Sequence, residues 1–301
     1  MKKCILCAVC LVFAAYLPLG AQSTHDLRES INQIISSKNA LTGVAIAGHD
    51  GKDTLSLNGN LQFPMQSVFK FHIALAMMAE IDKGNFSPEQ KVRIKKDDLL
   101  PGLYSPLRDK HPEGANLTIA ELSKYAVALS DNVASDALLR LLGGPLRVEC
   151  FFADNGFADI SIKINEEEMQ SNWDLQFKNW TTPMASNQIL RAFFENTDHL
   201  LSQASHEFIW RIMGETITGR NRIRGKLPHS TDVAHKTGWS GTHKTSGITA
   251  AVNNIGIVFL PDDSHFYISV FVTDSKEDFQ TNEQIIADIA KAAWDYFTQS
   301  E

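Results

Sequence analysis

The sequence predicts an α+β fold with two lobes. Three observations carry this. Strand-like patterns gather at the two ends of the chain, helical patterns fill its middle, and strand and helix do not alternate as in a βαβ repeat. The terminal strands are expected to share one largely antiparallel sheet, with the helical region inserted between them. A composition of 44% hydrophobic and 21% charged residues suits a globular chain and excludes disorder.

The first residues read as an export signal. Lys2 and Lys3 precede an apolar run over 5–19, and Leu19-Gly20-Ala21 supplies small residues for cleavage. The run is short for a membrane span of about 20 residues, and polar sequence follows at once. Cleavage after residue 21 leaves a working chain of 22–301. Cys4, Cys7 and Cys10 depart with the signal, so Cys150 remains without an internal partner. Loss of the two lysines moves the formal charge from -7 to about -9. The acidic balance and the lack of a basic patch argue against nucleic acid and against anionic membranes as partners.

The elements follow in order. Leu27, Ile31, Ile34 and Ile35 give helical periodicity. Residues 43–48 and 54–57 flank Asp50-Gly51 and read as a hairpin. Residues 69–81 are nearly all apolar, rich in Ala, Leu and Met, and read as a buried helix stopped by Gly84-Asn85. Residues 101–114 read as a long loop. Thr118 with Glu121 forms a capping box that opens a helix, and residues 132–142 continue helically to Gly143-Gly144-Pro145. Residues 159–183 have no clear period; such a segment within a compact domain is often functional. A helix is predicted over 183–194 and a polar connector over 214–228. Strands are predicted over 232–236, 248–252, 255–260 and 266–272. A last helix carries Ile285, Ile286, Ile289, Ala293, Tyr296 and Phe297 on one stripe.

Three short motifs can carry chemistry. In Ser67-Val68-Phe69-Lys70, a helix starting near Ser67 puts Ser67 and Lys70 on one face. A serine hydroxyl needs a base to become a nucleophile, and a buried lysine can be that base. In Ser130-Asp131-Asn132, Ser130 can relay a proton to a leaving nitrogen, Asn132 can donate to a substrate amide, and Asp131 ties the turn. In Lys236-Thr237-Gly238, the lysine and threonine can bind a carboxylate, and the glycine admits a close ligand. The Trp239 N–H can join that of Ser67 in an oxyanion hole. Each motif alone is weak, because polar turns and surface Ser/Lys pairs are common. Ten histidines are scattered without ligand spacing, so no metal or other cofactor is expected.

Together, in this order, the three motifs resemble the serine β-lactamase and penicillin-binding-protein group. Phe63-Pro64-Met65-Gln66 before Ser67, the export signal and the chain length narrow the resemblance to class A β-lactamases. It covers essentially all of the working chain. It implies a five-stranded antiparallel sheet flanked by helices, with an all-helical lobe and the site between them. The α/β lobe is expected at about 22–62 and 215–301, and the helical lobe at about 63–214. It implies a periplasmic monomer acting on small β-lactams, penicillins and cephalosporins.

The resemblance gives the 159–183 segment a meaning. The family carries there a glutamate that activates the hydrolytic water, usually within Arg-x-Glu-x-x-Leu-Asn. Taking Glu166 as that residue puts Ile164 at the arginine position and Met169 and Gln170 at the leucine and asparagine positions. Asn179 stands where the family has the aspartate that pairs with the arginine. The loss of both partners, with Asn179-Trp180, resembles the divergent extended-spectrum branch. Glu167 and Glu168 read as solvated charges. For the substrate carboxylate, Arg222 matches an alternative family position, with Arg220 and Arg224 as rivals. Tyr104, Ser105 and Ser240 match the rims of the cleft.

The implied reaction is acyl transfer to water. Lys70, Glu166 or both deprotonate Ser67, Ser130 protonates the departing nitrogen, and Glu166 with Gln170 directs the water. The competing activity, on the same three motifs, is a D-alanyl-D-alanine carboxypeptidase lacking the deacylating glutamate. A sensor domain that acylates once is a third.

Overall fold

The computed structural model describes residues 23–51 and 53–299. The export signal lies outside the described residues. Along the chain come α1 (Thr24–Ser36), β1 (Leu41–Gly48), β2 (Thr54–Leu57), β3 (Phe63–Pro64) and α2 (Phe69–Asp82). Next are β4 (Lys91–Lys95), α3 (Pro106–Lys110), β5 (Gly114–Thr118), α4 (Ile119–Ala128), α5 (Asn132–Leu142) and α6 (Pro145–Asp154). Then follow β6 (Ile160–Ser161), α7 (Glu166–Ser171), β7 (Trp180–Thr181), α8 (Pro183–Glu195) and α9 (Gln203–Gly214). The chain closes with β8 (Val233–Trp239), β9 (Val252–Phe259), β10 (His265–Thr273) and α10 (Phe279–Gln299).

Five strands form one antiparallel sheet in the order β2-β1-β10-β9-β8. Both faces are covered, so alternate residues of each strand enter different cores. Val44 and Ile46 of β1 and Phe266, Ile268, Val270 and Val272 of β10 pack with Ile285, Ile286 and Ile289 of α10. Tyr267, Phe271, Ile255 and Ile257 join the other core, with the helices of the middle region. There α2 is buried without a break from Phe69 to Ala79, which explains its lack of a polar face.

The capping box at Thr118 and Glu121 forms as the sequence predicts, with Glu121 N donating to Thr118 Oγ1 at 3.1 Å. Elsewhere the structure corrects the local reading. The segment 101–114 contains α3, because Ser105 caps it and Pro106 starts it. Helices α6 and α9 have no counterpart in the predicted elements. The two strands predicted over 248–252 and 255–260 are one strand, β9, which starts at Val252. Asn253-Asn254 resembled a break, yet both side chains are buried and bonded. Asn253 Nδ2 donates to Pro64 O at 2.8 Å, and Asn254 Nδ2 to Lys236 O at 3.1 Å. Buried amides survive in a strand when their polar atoms are satisfied.

Gly43 in β1 allows β3 to lie against the sheet. A Cβ there would come 2.4 Å from the Phe63 ring and 2.8 Å from Pro183. Gly43→Ala is therefore expected to cost about 1–3 kcal/mol by overpacking. Thermal unfolding should show a fall of several degrees in midpoint; an unchanged midpoint would refute this packing account.

Candidate active site

The site begins with a short 3-10 helix, Gln66–Val68, that runs directly into α2. This continuity places Ser67 one turn before Lys70. The bend into it is held by Gln66 at a positive φ of 47°. Gln66 Nε2 donates to Gln176 Oε1 at 2.7 Å, and Met65 N donates to Asn179 O at 2.9 Å. Ser67 thus sits on a backbone fixed from both sides, by Asn253 of β9 and by the 159–183 segment.

Lys70 is fully buried and has three acceptors. Its Nζ lies 2.7 Å from Ser130 O, 2.5 Å from Asn132 Oδ1 and 3.0 Å from Glu166 Oε1. Ser130 occupies the break between α4 and α5 at a φ of 57°. This is uncommon for a residue with a Cβ, and such backbone clusters at functional sites. Asp131 holds the break: it caps α5 through Ala134 N and accepts from Ser105 Oγ and Leu107 N. Ser67 Oγ donates to the same Glu166 Oε1 that Lys70 contacts, at 3.5 Å.

Lys236 reaches the group from β8, with Nζ donating to Ser130 Oγ at 2.8 Å. Burial, and then the charge of Lys70, hold its pKa well below the ordinary lysine range. Gly238 is required where β8 crosses the Ser67 segment, since a Cβ would sit 2.4 Å from Met65 O. β8 is an edge strand. Ser240 N donates to Ala251 O, so by alternation the Trp239 N–H faces the open edge.

Glu166 opens α7 and is buried, as is Met169 one turn on. Glu167 and Glu168 are exposed. Glu168 completes a capping box with Asn165. Beneath Glu166 lies Asp136 of α5, which the sequence reading did not single out. Its two oxygens accept from Glu166 N at 2.8 Å and Glu167 N at 3.0 Å. Burial pushes this carboxyl up to about 7, aided by the Glu166 charge and opposed by the two N–H groups. Asn179 replaces an ion pair with amide bonds: its Oδ1 accepts from Lys163 N and Ile164 N, and its Nδ2 donates to Ile164 O.

The remaining candidates divide. Gln170 is exposed and lies one turn after Glu166, on the same side of α7. Tyr104 is exposed on the rim, and its carbonyl accepts from Asn132 N at 3.1 Å. Thr237 Oγ1 pairs with Thr218 Oγ1 at 2.6 Å. Ser105 is buried and spent on Asp131 and the α3 cap, so its hydroxyl does not line a rim. Ser240 Oγ donates to Gly241 O and accepts from Ala251 N, turned back onto its own backbone. Arg222 is buried, with bonds to Glu283, Gly238 O and Asn253 O. Arg224 binds the carbonyls of Val233 and Gly214. Arg220 is exposed.

Comparison with known proteins agrees with this geometry. A profile of the β-lactamase enzyme family matches residues 26–297. β-Lactamase VEB-1 of Pseudomonas aeruginosa is 48% identical over 98% of both chains. Extended-spectrum β-lactamase PER-1 of the same species is 37% identical over 98% of this chain and 95% of its own. The crystal structure of TLA-3 extended-spectrum β-lactamase superposes with a TM-score of 0.89 at 45% identity, over 91% of this chain and 99% of that one. With Ser67, Lys70, Ser130, Glu166 and Lys236 drawn into one hydrogen-bonded group, the chain belongs to the β-lactamase enzyme family, as a class A serine enzyme related to the PER and VEB extended-spectrum β-lactamases.

Proposed function

We propose the following division of labour for the hydrolysis of β-lactam rings, with penicillins and cephalosporins as substrates. Ser67 Oγ attacks the lactam carbonyl. Its proton passes to Glu166, whose Oε1 already accepts from Ser67. The three acceptors around Lys70 match the three donors of an ammonium, which supports Lys70 as the charged partner that steadies Glu166. The Ser67 N–H stands in a first helical turn, without an intrahelical acceptor, and with the Trp239 N–H receives the developing oxyanion. Ser130 passes its proton to the departing nitrogen, and the proton that Glu166 took from Ser67 restores Ser130 through the hydrogen-bonded group, so Glu166 is again a carboxylate and Lys236, which donates to Ser130 Oγ, keeps its charge. Glu166 then directs water onto the ester, with Gln170 one turn away at the mouth.

Lys236 and Thr237 take the substrate carboxylate. Arg222 adds its field through the floor of the site, its own donors being committed to Glu283 and two carbonyls. Asn132 Nδ2 and Tyr104 flank the acylamino group. No cofactor enters this scheme. The working enzyme is a monomer exported to the periplasm once residues 1–21 are removed. The observation that carries the reading is the position of Glu166 Oε1 between Ser67 and Lys70, since a carboxypeptidase of the same motifs has no such deacylating group.

Glu166→Ala is expected to keep acylation and lose deacylation. Intact-mass spectrometry after mixing with a cephalosporin should show a persistent adduct on the variant and none on the unaltered enzyme. Multiple turnover by the variant would overturn the assignment, and a persistent adduct on the unaltered enzyme would favour the carboxypeptidase.

Asp136 gives a second test. The ionised carboxylate offers one acceptor to each N–H, whereas an asparagine offers a single oxygen and turns donors toward a donor. Losing a buried hydrogen bond to a charged group costs about 1.5–3 kcal/mol, so Asp136→Asn should slow deacylation by about tenfold or more. Stability moves the other way. A raised native pKa means that the folded chain binds this proton more tightly than the unfolded chain. Its contribution is full below about 4, the ordinary aspartate value, and is lost as pH rises through about 7. The melting temperature of the unaltered enzyme, relative to Asp136→Asn, should therefore fall between about pH 4 and about pH 7. A constant difference would refute it.

A further inference from the structure

Trp239 stands immediately after the carboxylate-binding residues of β8 and is 52% exposed. By the two-residue period of the strand, Thr237 and Trp239 share one face, while Lys236 points to Ser130 from the other. The indole packs on Phe279, the first residue of α10, with ring centroids 4.8 Å apart and planes tilted by 49°. Phe279 is itself 41% exposed and is backed by the Arg222 guanidinium, 5.7 Å from its ring centroid. Two large aromatic rings thus lie side by side in water at one end of the cleft. They are held in place by strand, helix and a buried arginine. Large exposed apolar surface in this setting marks a binding site.

We propose that Trp239 and Phe279 form an aromatic platform that selects substrates carrying a planar aromatic substituent beside the carboxylate. The inference rests on the β-lactamase reading of the same site. The Thr237 face receives the carboxylate, and the next side chain on that face is Trp239. A substituent on the ring carbon next to the carboxylate-bearing carbon of a cephalosporin therefore extends toward the indole. The acylamino group leaves in the opposite direction, toward Asn132 and Tyr104. An electron-poor ring suits an indole face, whose π cloud is electron-rich. The platform acts on recognition: the reacting carbonyl meets only the backbone of Trp239.

The test compares nitrocefin with cephalothin. The two share the thienylacetyl side chain and differ at the substituent beside the carboxylate, dinitrostyryl against acetoxymethyl. Phe279→Leu should lower the nitrocefin-to-cephalothin ratio of kcat/KM by about three- to tenfold, chiefly through KM, the scale of one aromatic pair. Cephalothin turnover should stay within about twofold, since Phe279 touches no reacting group. At Trp239 the ratio alone is read: Trp239→Phe should keep most of the preference and Trp239→Leu should lose it. An unchanged ratio in Phe279→Leu and Trp239→Leu, with cephalothin still hydrolysed, overturns the platform alone. Failure of the unaltered enzyme to hydrolyse either compound overturns the β-lactamase reading and the platform with it.

Discussion

A buried lysine organises this site. Lys70 has no access to water, so its amine must find its hydrogen-bond partners within the protein. The acceptors come from two separate parts of the chain, the α4–α5 break and α7. Satisfying Lys70 therefore fixes Ser130, Asn132 and Glu166 relative to Ser67, which the same helix carries. The unusual backbone of Ser130 follows, since its carbonyl is an acceptor for Lys70 while its hydroxyl accepts from Lys236. Two lysines meet on one serine residue, Lys70 at its carbonyl and Lys236 at its hydroxyl, and the order of the group is a by-product of solvation.

Much of this was legible in the sequence because it is local. The Ser67–Lys70 spacing, the Ser130–Asn132 break and the Thr118 cap each depend on residues a few positions apart. The sheet was legible from alternation, and α2 from its apolar run. Asp136 escaped notice because its meaning depends on Glu166, 30 residues away, arriving above it. The gap between the strands predicted over 248–252 and 255–260 falls at Asn253 and Asn254, a polar pair that fits inside an apolar strand only when partners take its amides. Those partners, Pro64, Met65, His235 and Lys236, come from distant segments. Ser105 and Ser240 matched rim positions by sequence, but a side chain's direction depends on which nearby groups need a partner. α6 and α9 have buried faces that are short and interrupted, and only their packing in the helical core reveals them.

Hydrogen bonding and burial pull on Asp136 in opposite directions. The two N–H groups of α7, one for each oxygen, favour the carboxylate, while burial beside Glu166 favours the proton. Functional sites often hold groups in states that the rest of the fold must support. Here the support is the α5 helix, braced at its start by Asp131 and packed against α2, with Val133 and Leu138 in the helical core.

The amide clamp of Asn179 has a different character. All its bonds at the neck of the loop are between neutral groups and backbone. An ion pair at that place would weaken as acid neutralised its carboxylate, and salt would screen any part of it exposed to water. A neutral amide does neither. Asn179 therefore fastens the neck of the loop by bonds that neither acid nor salt alters, beside the Lys163–Glu149 ion pair, which salt does screen.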